Sequence, residues 1–274
     1  MSIQINKLTH IYMRGTIFEK KALDEISLTI EDGEFVGIIG HTGSGKSTLI
    51  QHLKGILKPS LGEVIIDGNN ATVKNSVGIL FQNPEHQLFE DTVYDDIAYG
   101  LKKSGRDKKL IDEKVKEFAD YLGIDDEILY KSPFELSWGQ KKLVAMAGVL
   151  VLEPKILVLD EPFAGLDARG RDMFFKLILK FFKSRNLTVI LVSHSMEEVI
   201  RFADRVIVMD RGKIKMDGWA KEIFNYTKEL KSIGLDVPEI THFMERLKEI
   251  IPDLKENILT VKEAKKELKN FLEK

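Results

Sequence analysis

A glycine-rich segment that contains a lysine and a serine directly follows the apolar run Phe35–Ile39. With the threonine that follows it, this segment supplies the candidate phosphate-binding residues Gly40, His41, Thr42, Gly43, Ser44, Gly45, Lys46, Ser47 and Thr48. The spacing matches the pattern G-x-x-x-x-G-K-[ST], in which glycines let successive backbone N–H groups turn toward phosphate oxygens. Lys46 would bring a positive charge to the same oxygens, and the Ser47 hydroxyl suits Mg²⁺. The segment predicts that the chain binds a nucleoside triphosphate.

Two acidic residues end a second apolar run, residues 156–159. Asp160 is placed for Mg²⁺, and Glu161 for a water molecule that attacks the terminal phosphate, with Glu161 as general base. Paired acids at the end of a strand also occur as a solvated turn. The phosphate loop in the same chain favours the catalytic interpretation, because a parallel sheet presents the carboxyl ends of its strands to one ligand.

The elements that must position these residues alternate between strands and helices. Apolar strand-like runs at 35–39, 77–81, 156–160, 188–193 and 206–209, with helical patterns between them, predict a parallel α/β sheet. Short alternating strands within the first 35 residues and at 63–67 predict an additional β layer. Between these, residues from about 88 to 152 have helical periodicity and predict an inserted helical subdomain.

The chain beyond residue 219 has a helical pattern with balanced charges. Thr260 and Glu263 have the spacing of a capping box for a last helix. We expect the apolar residues of that helix to share one face, namely Val261, Ala264, Leu268 and Phe271. The predicted domains are therefore 1–218, which includes the helical subdomain, and a C-terminal helical extension over 219–274.

Three further segments stand in a fixed order with the phosphate loop and the paired acids. They are Leu136-Ser137-Trp138-Gly139-Gln140, Gly165-Leu166-Asp167 and Val192-Ser193-His194. Over residues 1–218 the chain resembles the ATPase subunits of ABC transporters. The resemblance implies ATP hydrolysis and a P-loop NTPase fold, with a parallel core sheet, an antiparallel β layer and the helical subdomain. ATP and Mg²⁺ are the implied cofactors.

The resemblance also implies individual roles. Tyr12 would stack on adenine, and Gln82 would contact Mg²⁺ and the attacking water and report the nucleotide state to a membrane partner. His194 would contact the γ-phosphate. Each residue has a simpler interpretation: an edge-strand aromatic, a turn residue and a structural histidine, respectively.

The signature segment departs from the Leu-Ser-Gly-Gly-Gln of the family, because Trp138 stands where glycine is usual. In the family, two ATPases meet head to tail, and this segment contacts the nucleotide held by the partner. The implied contacts in this chain are Ser137, Gly139, Gln140 and Asp167. Trp138 would be disfavoured at any positive φ. Either it alters one of two composite sites in a heterodimer, or its ring packs harmlessly against the helical subdomain.

A finer resemblance rests on residues 12–23, 81–89 and 146–150. These segments resemble the second ATPase type of energy-coupling factor transporters, often called A-prime. The resemblance implies a different partner ATPase, a shared transmembrane coupling subunit that docks near residues 87–94, and small membrane proteins that capture a vitamin or a metal ion. The chain would then lie at the cytoplasmic face of the cell membrane, attached through these partners.

Three alternatives remain open at this point. The chain could be the ATPase of an ordinary ABC importer, or an ABC-type ATPase that acts on ribosomes or DNA without a membrane partner. It could also bind ATP as a sensor without hydrolysing it. Intact Lys46, Asp160, Glu161 and His194 argue against the sensor.

Composition excludes several classes without identifying the function. The 274 residues include 41 basic and 43 acidic side chains, and a net charge of −2 gives no overall case for nucleic acid binding. The chain contains no cysteine, which excludes disulfides, thiolate metal sites and cysteine nucleophiles. The apolar stretch 144–152 is much shorter than the roughly 20 residues that span a bilayer. The cargo cannot be predicted from this sequence.

Overall fold

The computed structural model describes residues 2–70, 76–185, 187–255 and 258–273. The outer limits of the two predicted domains, Met1 and Lys274, lie outside these residues. The described strands are β1 Ile3–Tyr12, β2 Lys20–Ile30, β3 Phe35–Ile39, β4 Leu61–Ile66, β5 Asn69–Asn70, β6 Val77–Leu80, β7 Ile156–Asp160, β8 Thr188–Val192, β9 Arg205–Asp210 and β10 Lys213–Trp219. The described α-helices are α1 Lys46–Leu53, α2 Val93–Lys103, α3 Lys108–Leu122, α4 Asp126–Leu129, α5 Trp138–Leu150, α6 Ala168–Arg185, α7 Met196–Phe202, α8 Ala220–Ile223, α9 Thr227–Ser232, α10 Glu239–Ile250 and α11 Val261–Leu272.

The predicted core sheet is a six-stranded sheet in the order β10-β9-β3-β8-β7-β6. Its inner pairs are all parallel, and only β10 runs antiparallel to its neighbour β9. Strands β3 and β8 are buried at every position, as their nearly continuous apolar sequences predict for strands covered on both faces. Because β3 and β7 run in the same direction, the segments that follow Ile39 and Asp160 leave the same edge of the sheet.

The predicted β layer is a second sheet of four strands in the order β2-β1-β4-β5, with antiparallel pairing. Its apolar side chains join one face of the parallel sheet and α1 in a single core that includes Ile5, Leu28 and Ile38. A separate core on the other face joins the parallel sheet to the helices and includes Phe118 and Phe174. The α/β fold predicted from the sequence is confirmed.

The inserted region contains α2, α3, α4 and α5. The apolar residues that repeat at helical spacing in this region are buried: Val93, Ile97, Leu101, Val115, Phe118 and Leu122. The caps explain where the helices begin, because Thr92 accepts a hydrogen bond from the Asp95 N–H and Asp107 accepts bonds from two N–H groups of α3.

The C-terminal extension has a small core of its own around Met244, Leu254, Ile258 and Ala264. The predicted capping box is confirmed, since Thr260 and Glu263 exchange hydrogen bonds of 3.2 Å at the start of α11. Of the residues predicted to share one face of α11, Ala264 is buried, whereas the Val261 side chain is 70% exposed. Val261 is the first residue of α11 and lines a surface cavity, together with Ile240 and Phe243 of α10. Among the described helices, none has the length and apolarity needed to cross a membrane.

Candidate active site

The phosphate-loop segment connects the end of β3 to the start of α1. Gly45 has φ +107° and precedes the first helical residue, and Gly43 has φ +82°, a conformation that side chains disfavour. Gly40 is required for a different reason, since a Cβ there would lie 2.4 Å from the Met209 carbonyl oxygen. The backbone conformation of the loop therefore favours glycine at all three positions.

Lys46 lies across this loop. Its Nζ donates to the Gly40 carbonyl at 2.6 Å and to the His41 carbonyl at 3.2 Å. Burial lowers the pKa of this ammonium, while the nearby charges of Glu161 and Asp160 act in the opposite direction. Within the described chain, no side chain caps the N-terminus of α1. Its first N–H groups and the positive end of its dipole are therefore available to an anion.

A cavity of about 870 Å³ opens around this loop. The predicted site residues that line it are Tyr12, Gly40, His41, Thr42, Gly43, Gly45, Lys46, Ser47, Thr48, Gln82, Asp160, Glu161 and His194. Ser44 does not line it, because its side chain is fully buried behind Gly40. The cavity therefore collects residues that are up to 182 positions apart in the sequence, from Tyr12 to His194, around one phosphate-binding loop.

Asp160 ends β7 at the floor of this cavity. Burial and the adjacent charge of Glu161 raise the pKa of its carboxyl to about 6, and Lys46 opposes the rise. A divalent cation bound at Asp160 would lower this pKa, since it favours the ionised carboxylate. Ser47 lines the same cavity and offers a hydroxyl oxygen. Hydroxyl and carboxylate oxygens are the donor set that Mg²⁺ prefers, so the residues fit that ion.

Glu161 and His194 are in direct contact. The distance from His194 Nδ1 to Glu161 Oε2 is 2.8 Å, and the Glu161 side chain is largely buried whereas His194 is mostly exposed. Glu161 itself has φ +48°, and its N–H donates to the Val192 carbonyl at 2.9 Å. The contact brings together the ends of β7 and β8, and it gives the cavity a carboxylate and an imidazole that can accept and donate protons.

Tyr12 lies at the opposite rim of the cavity. Its hydroxyl and the Thr48 hydroxyl are 3.2 Å apart, and its ring meets the edge of His10 at a centroid distance of 4.4 Å. His10 in turn meets His52 at 4.7 Å. Edge-to-face contacts with His10 and, through it, with His52 thus place Tyr12 beside α1. In this position its ring can cover a base bound next to the phosphate loop.

The signature residues lie elsewhere on the chain. Of the described residues that line the cavity, none is Ser137, Gly139, Gln140 or Asp167. Ser137 and Gln140 form a capping box at the start of α5, with the Ser137 N–H donating to Gln140 Oε1 at 3.0 Å. Asp167 Oδ1 accepts from the Gly170 N–H at 2.7 Å at the start of α6. Each of these residues ends or begins a helix, and none faces the phosphate loop of its own chain.

Trp138 is the first residue of α5 and does not have a positive φ. The strain considered from the sequence is therefore absent at this residue. The ring also does not pack merely against the helical subdomain, because its Nε1 donates to the Ala164 carbonyl at 3.3 Å. It lies against the turn that follows Glu161. Neither sequence interpretation of Trp138 placed the ring on that turn, and both remain predictions.

Several cavity residues were not predicted from the sequence. Residues 234–236 of the C-terminal extension line the cavity, as do Lys20, Ala22 and Met196. His242 Nε2 lies 2.6 Å from Asp236 Oδ1, and this bond lowers the pKa of the Asp236 carboxyl. The only local signal was the turn-forming Gly234, and a turn does not reveal which surface it faces. A larger cavity of about 1210 Å³ lies between α7 and the extension, and contains none of the predicted site residues.

Residues 23–164 match the family model described as ABC transporter. An energy-coupling factor transporter ATP-binding protein EcfA2 from Acetivibrio thermocellus is 56% identical, over 100% of this chain and 100% of that protein. EcfA2 from Clostridium tetani is 49% identical, over 98% of this chain and 96% of that protein.

Two solved structures extend the comparison to the fold. The structure of cbiO1 from Clostridium perfringens, described as part of the ABC transporter complex cbiONQ, superposes with a TM-score of 0.73 at 37% identity, over 89% of this chain and 98% of that chain. A dimeric ATP-binding cassette in a post-hydrolysis state with ADP and Pi superposes with a TM-score of 0.72 at 26% identity, over 80% of this chain and 98% of that chain.

Proposed function

The chain belongs to the ABC transporter family as an ATP-hydrolysing subunit of the energy-coupling factor type, and we propose that it works as one half of an ATPase heterodimer. The single observation that carries the proposal is the cavity shared by the phosphate loop, Asp160, Glu161 and His194. Phosphate-binding groups and a candidate general base line the same cavity. Such a site suits hydrolysis of a bound triphosphate by water.

In the proposed mechanism, the loop N–H groups and Lys46 bind the β- and γ-phosphates, and Tyr12 covers the adenine. Glu161 orients the attacking water and accepts its proton, with the carboxylate held in place by its largely buried position. His194 turns its imidazole from Glu161 toward the γ-phosphate. Hydrolysis depends mainly on positioning and charge stabilisation, so small displacements of these groups should alter the rate strongly.

Mg²⁺ is the proposed cofactor. Ser47, Gln82 and Asp160 would hold it, directly or through water, and all three line the cavity. When bound, the ion would neutralise charge on the phosphates. Its presence would also favour the ionised form of Asp160, whose pKa is raised to about 6 by burial and by Glu161.

The second half of each ATP site is proposed to come from another ATPase subunit. Ser137, Gly139, Gln140 and Asp167 would contact the nucleotide held by the partner, since they are remote from the phosphate loop of their own chain. The EcfA2 name of the relatives and the A-prime resemblance favour a different chain as that partner. ATP binding would close the pair, and hydrolysis would reopen it.

The proposed membrane contact is the surface at residues 87–94. Leu88 is buried in the helical core, whereas Phe89 is 57% exposed and rests on Tyr99 at 4.7 Å. An exposed aromatic ring that is held in place by a second ring is suited to insertion between side chains of a partner. Through this contact the chain would lie at the cytoplasmic face of the membrane. It would drive a transmembrane coupling subunit, with small membrane proteins capturing a vitamin or a metal ion.

The catalytic assignment is tested by Glu161→Gln in the assembled transporter. The substitution keeps the size of the side chain but removes the base, so we expect ATP binding to persist and steady-state turnover to fall by about 100-fold or more. The pair should then accumulate in a closed, ATP-bound state that is visible by size-exclusion chromatography. Near-normal turnover would refute Glu161 as the base, whereas Lys46→Ala should weaken ATP binding itself.

The partners are tested by mild-detergent purification of the tagged chain, with mass spectrometry of the proteins that remain bound. Recovery of a second ATPase, one shared membrane subunit and several small membrane proteins would support the energy-coupling arrangement. Recovery of a substrate-binding protein with its own permease would indicate an ordinary importer. Recovery without any membrane protein would contradict the proposed coupling.

A further inference from the structure

Two side chains of α5, one helical turn apart, donate hydrogen bonds to the turn that follows Glu161. The Lys142 Nζ donates to the Pro162 carbonyl and to the Ala164 carbonyl, each at 2.6 Å. The Trp138 Nε1 donates to the same Ala164 carbonyl at 3.3 Å. Positions 138 and 142 are four residues apart and so share a helix face. That face of α5 therefore supplies three hydrogen bonds to two carbonyl groups of one turn.

Lys142 is an unusual residue for this place because its side chain is only 1% exposed. Burial lowers the pKa of its ammonium to about 8, and the charges of Glu198 and Glu161 oppose that change. Burial of a lysine ammonium destabilises the folded protein unless hydrogen bonds or an opposite charge compensate for the lost hydration. Here its pairing is with backbone carbonyls of residues 162–164, so the side chain holds the main chain in position.

The main chain at this turn needs such support. Glu161 has φ +48°, which is uncommon for a residue with a side chain and persists only where the surroundings enforce it. Its N–H is held by the Val192 carbonyl, and its own carbonyl accepts from the Ala164 N–H at 3.2 Å. Ala164 is thus the residue through which the turn and α5 meet, since its carbonyl receives both side-chain donors.

We propose that Lys142, assisted by Trp138, is a positioning residue for ATP hydrolysis that sets the location of the Glu161 carboxylate relative to the signature end of α5. The inference rests on the proposed function, in which Glu161 is the base and Ser137 contacts the partner's nucleotide. Ser137 caps the same helix one residue before Trp138. A displacement of the signature end would therefore be transmitted along α5 to the turn that carries the base.

The test is steady-state ATP hydrolysis by the assembled transporter with Lys142→Met. Methionine fills similar space but donates no hydrogen bond, so the turn loses two of its three hydrogen bonds from α5. We expect kcat to fall by about 10- to 100-fold while KM and the Kd for ATP change less than about twofold, as for a misplaced catalytic group. Lys142→Gln, which retains N–H donors, should restore part of the lost kcat.

Lys54→Met is the matched control. Lys54 is a partly buried lysine that, like Lys142, donates to a backbone carbonyl, but that carbonyl belongs to Val77 of β6. We expect this variant to keep its kcat. A loss of kcat equal to that of Lys142→Met would overturn the inference, because it would reflect general destabilisation. An unchanged kcat in Lys142→Met would overturn it directly.

A second background separates positioning from structure. In Glu161→Gln, single-turnover hydrolysis should show no further loss when Lys142→Met is added, since the group that Lys142 positions is already absent. A further loss of the same size would contradict the inference. If Lys142→Met does not fold, the same assay is made with Trp138→Phe, which removes the Nε1 donor and keeps an aromatic ring. Unchanged turnover in Trp138→Phe would refute the positioning role. Normal hydrolysis by Glu161→Gln alone would refute the proposed function instead.

Discussion

Gly165→Ala should destabilise the protein through a contact with Trp138, in addition to its backbone conformation. Gly165 has φ +76°, and a Cβ there would lie 2.5 Å from Trp138 Nε1 and 3.0 Å from its Cδ1. Alanine in this conformation costs about 1 kcal/mol. The indole must also move, which sacrifices its bond to Ala164, worth about 1 kcal/mol, and disturbs packing by about 1 kcal/mol more.

Gly105 provides the control for the backbone contribution. It has a similar φ of +71°, and a Cβ there would meet nothing within 4 Å. Gly105→Ala should therefore cost about 1 kcal/mol, against about 3 kcal/mol for Gly165→Ala. In a Trp138→Ala background the ring is gone, so the cost of Gly165→Ala should fall to that of Gly105→Ala.

The assay is urea denaturation followed by far-ultraviolet circular dichroism, because tryptophan fluorescence would itself change in the Trp138→Ala variants. The free energy of unfolding is compared among the single and double variants at one temperature. Equal costs for Gly165→Ala with and without the Trp138 ring would refute the contact. Such a result would also remove Trp138 from the connection between α5 and the turn after Glu161.

Two further predictions concern stability. His52 is almost fully buried beside His10, and burial and the His10 charge lower its pKa from 6.5 to about 4. The unfolded chain then binds a proton that the folded chain does not as the pH falls from 6.5 to 4. The free energy of unfolding should therefore fall by roughly 3 kcal/mol across this window, and His52→Leu should lose that much less in urea denaturation at pH 7 and pH 4.5. An equal loss in both proteins would contradict the assignment. Thr260→Ala removes the cap of α11 and should cost about 1 kcal/mol in thermal denaturation, whereas Thr260→Ser should cost little; equal costs would show that the cap bond is not the source.

Sequence reasoning succeeded where the signal is local or periodic. The buried strands β3 and β8 are almost entirely apolar runs, and the apolar residues that include Val93 and Val115 repeat at helical spacing. The phosphate loop is recognisable because its chemistry requires lysine and glycine at fixed spacing. The capping box of α11 is read from two residues only. In each case the information lies within a few positions of the chain.

It failed where the outcome depends on which distant segments meet. Val261 has the same helical period as the buried Ala264 but is 70% exposed, and periodicity does not report how closely a neighbouring element packs. Asp236 lines the nucleotide cavity because the extension folds back across the domain. The sequence interpretation of Trp138 considered only the glycine that is usual at this position. The position of the ring instead depends on its hydrogen bond to Ala164, 26 residues away.

Trp138 need not block the signature segment, because the chemistry expected there uses the main chain. The first N–H groups of a helix have no partners within the helix, and the capping box of α5 occupies those of Ser137 and Gln140. The N–H groups of Trp138 and Gly139 thus remain for the partner's phosphate, whatever side chain stands at position 138. Since the indole is bonded to Ala164, the substitution changes how α5 is joined to the turn that carries Glu161. Any functional asymmetry between the two composite sites should therefore appear in kcat rather than in nucleotide affinity.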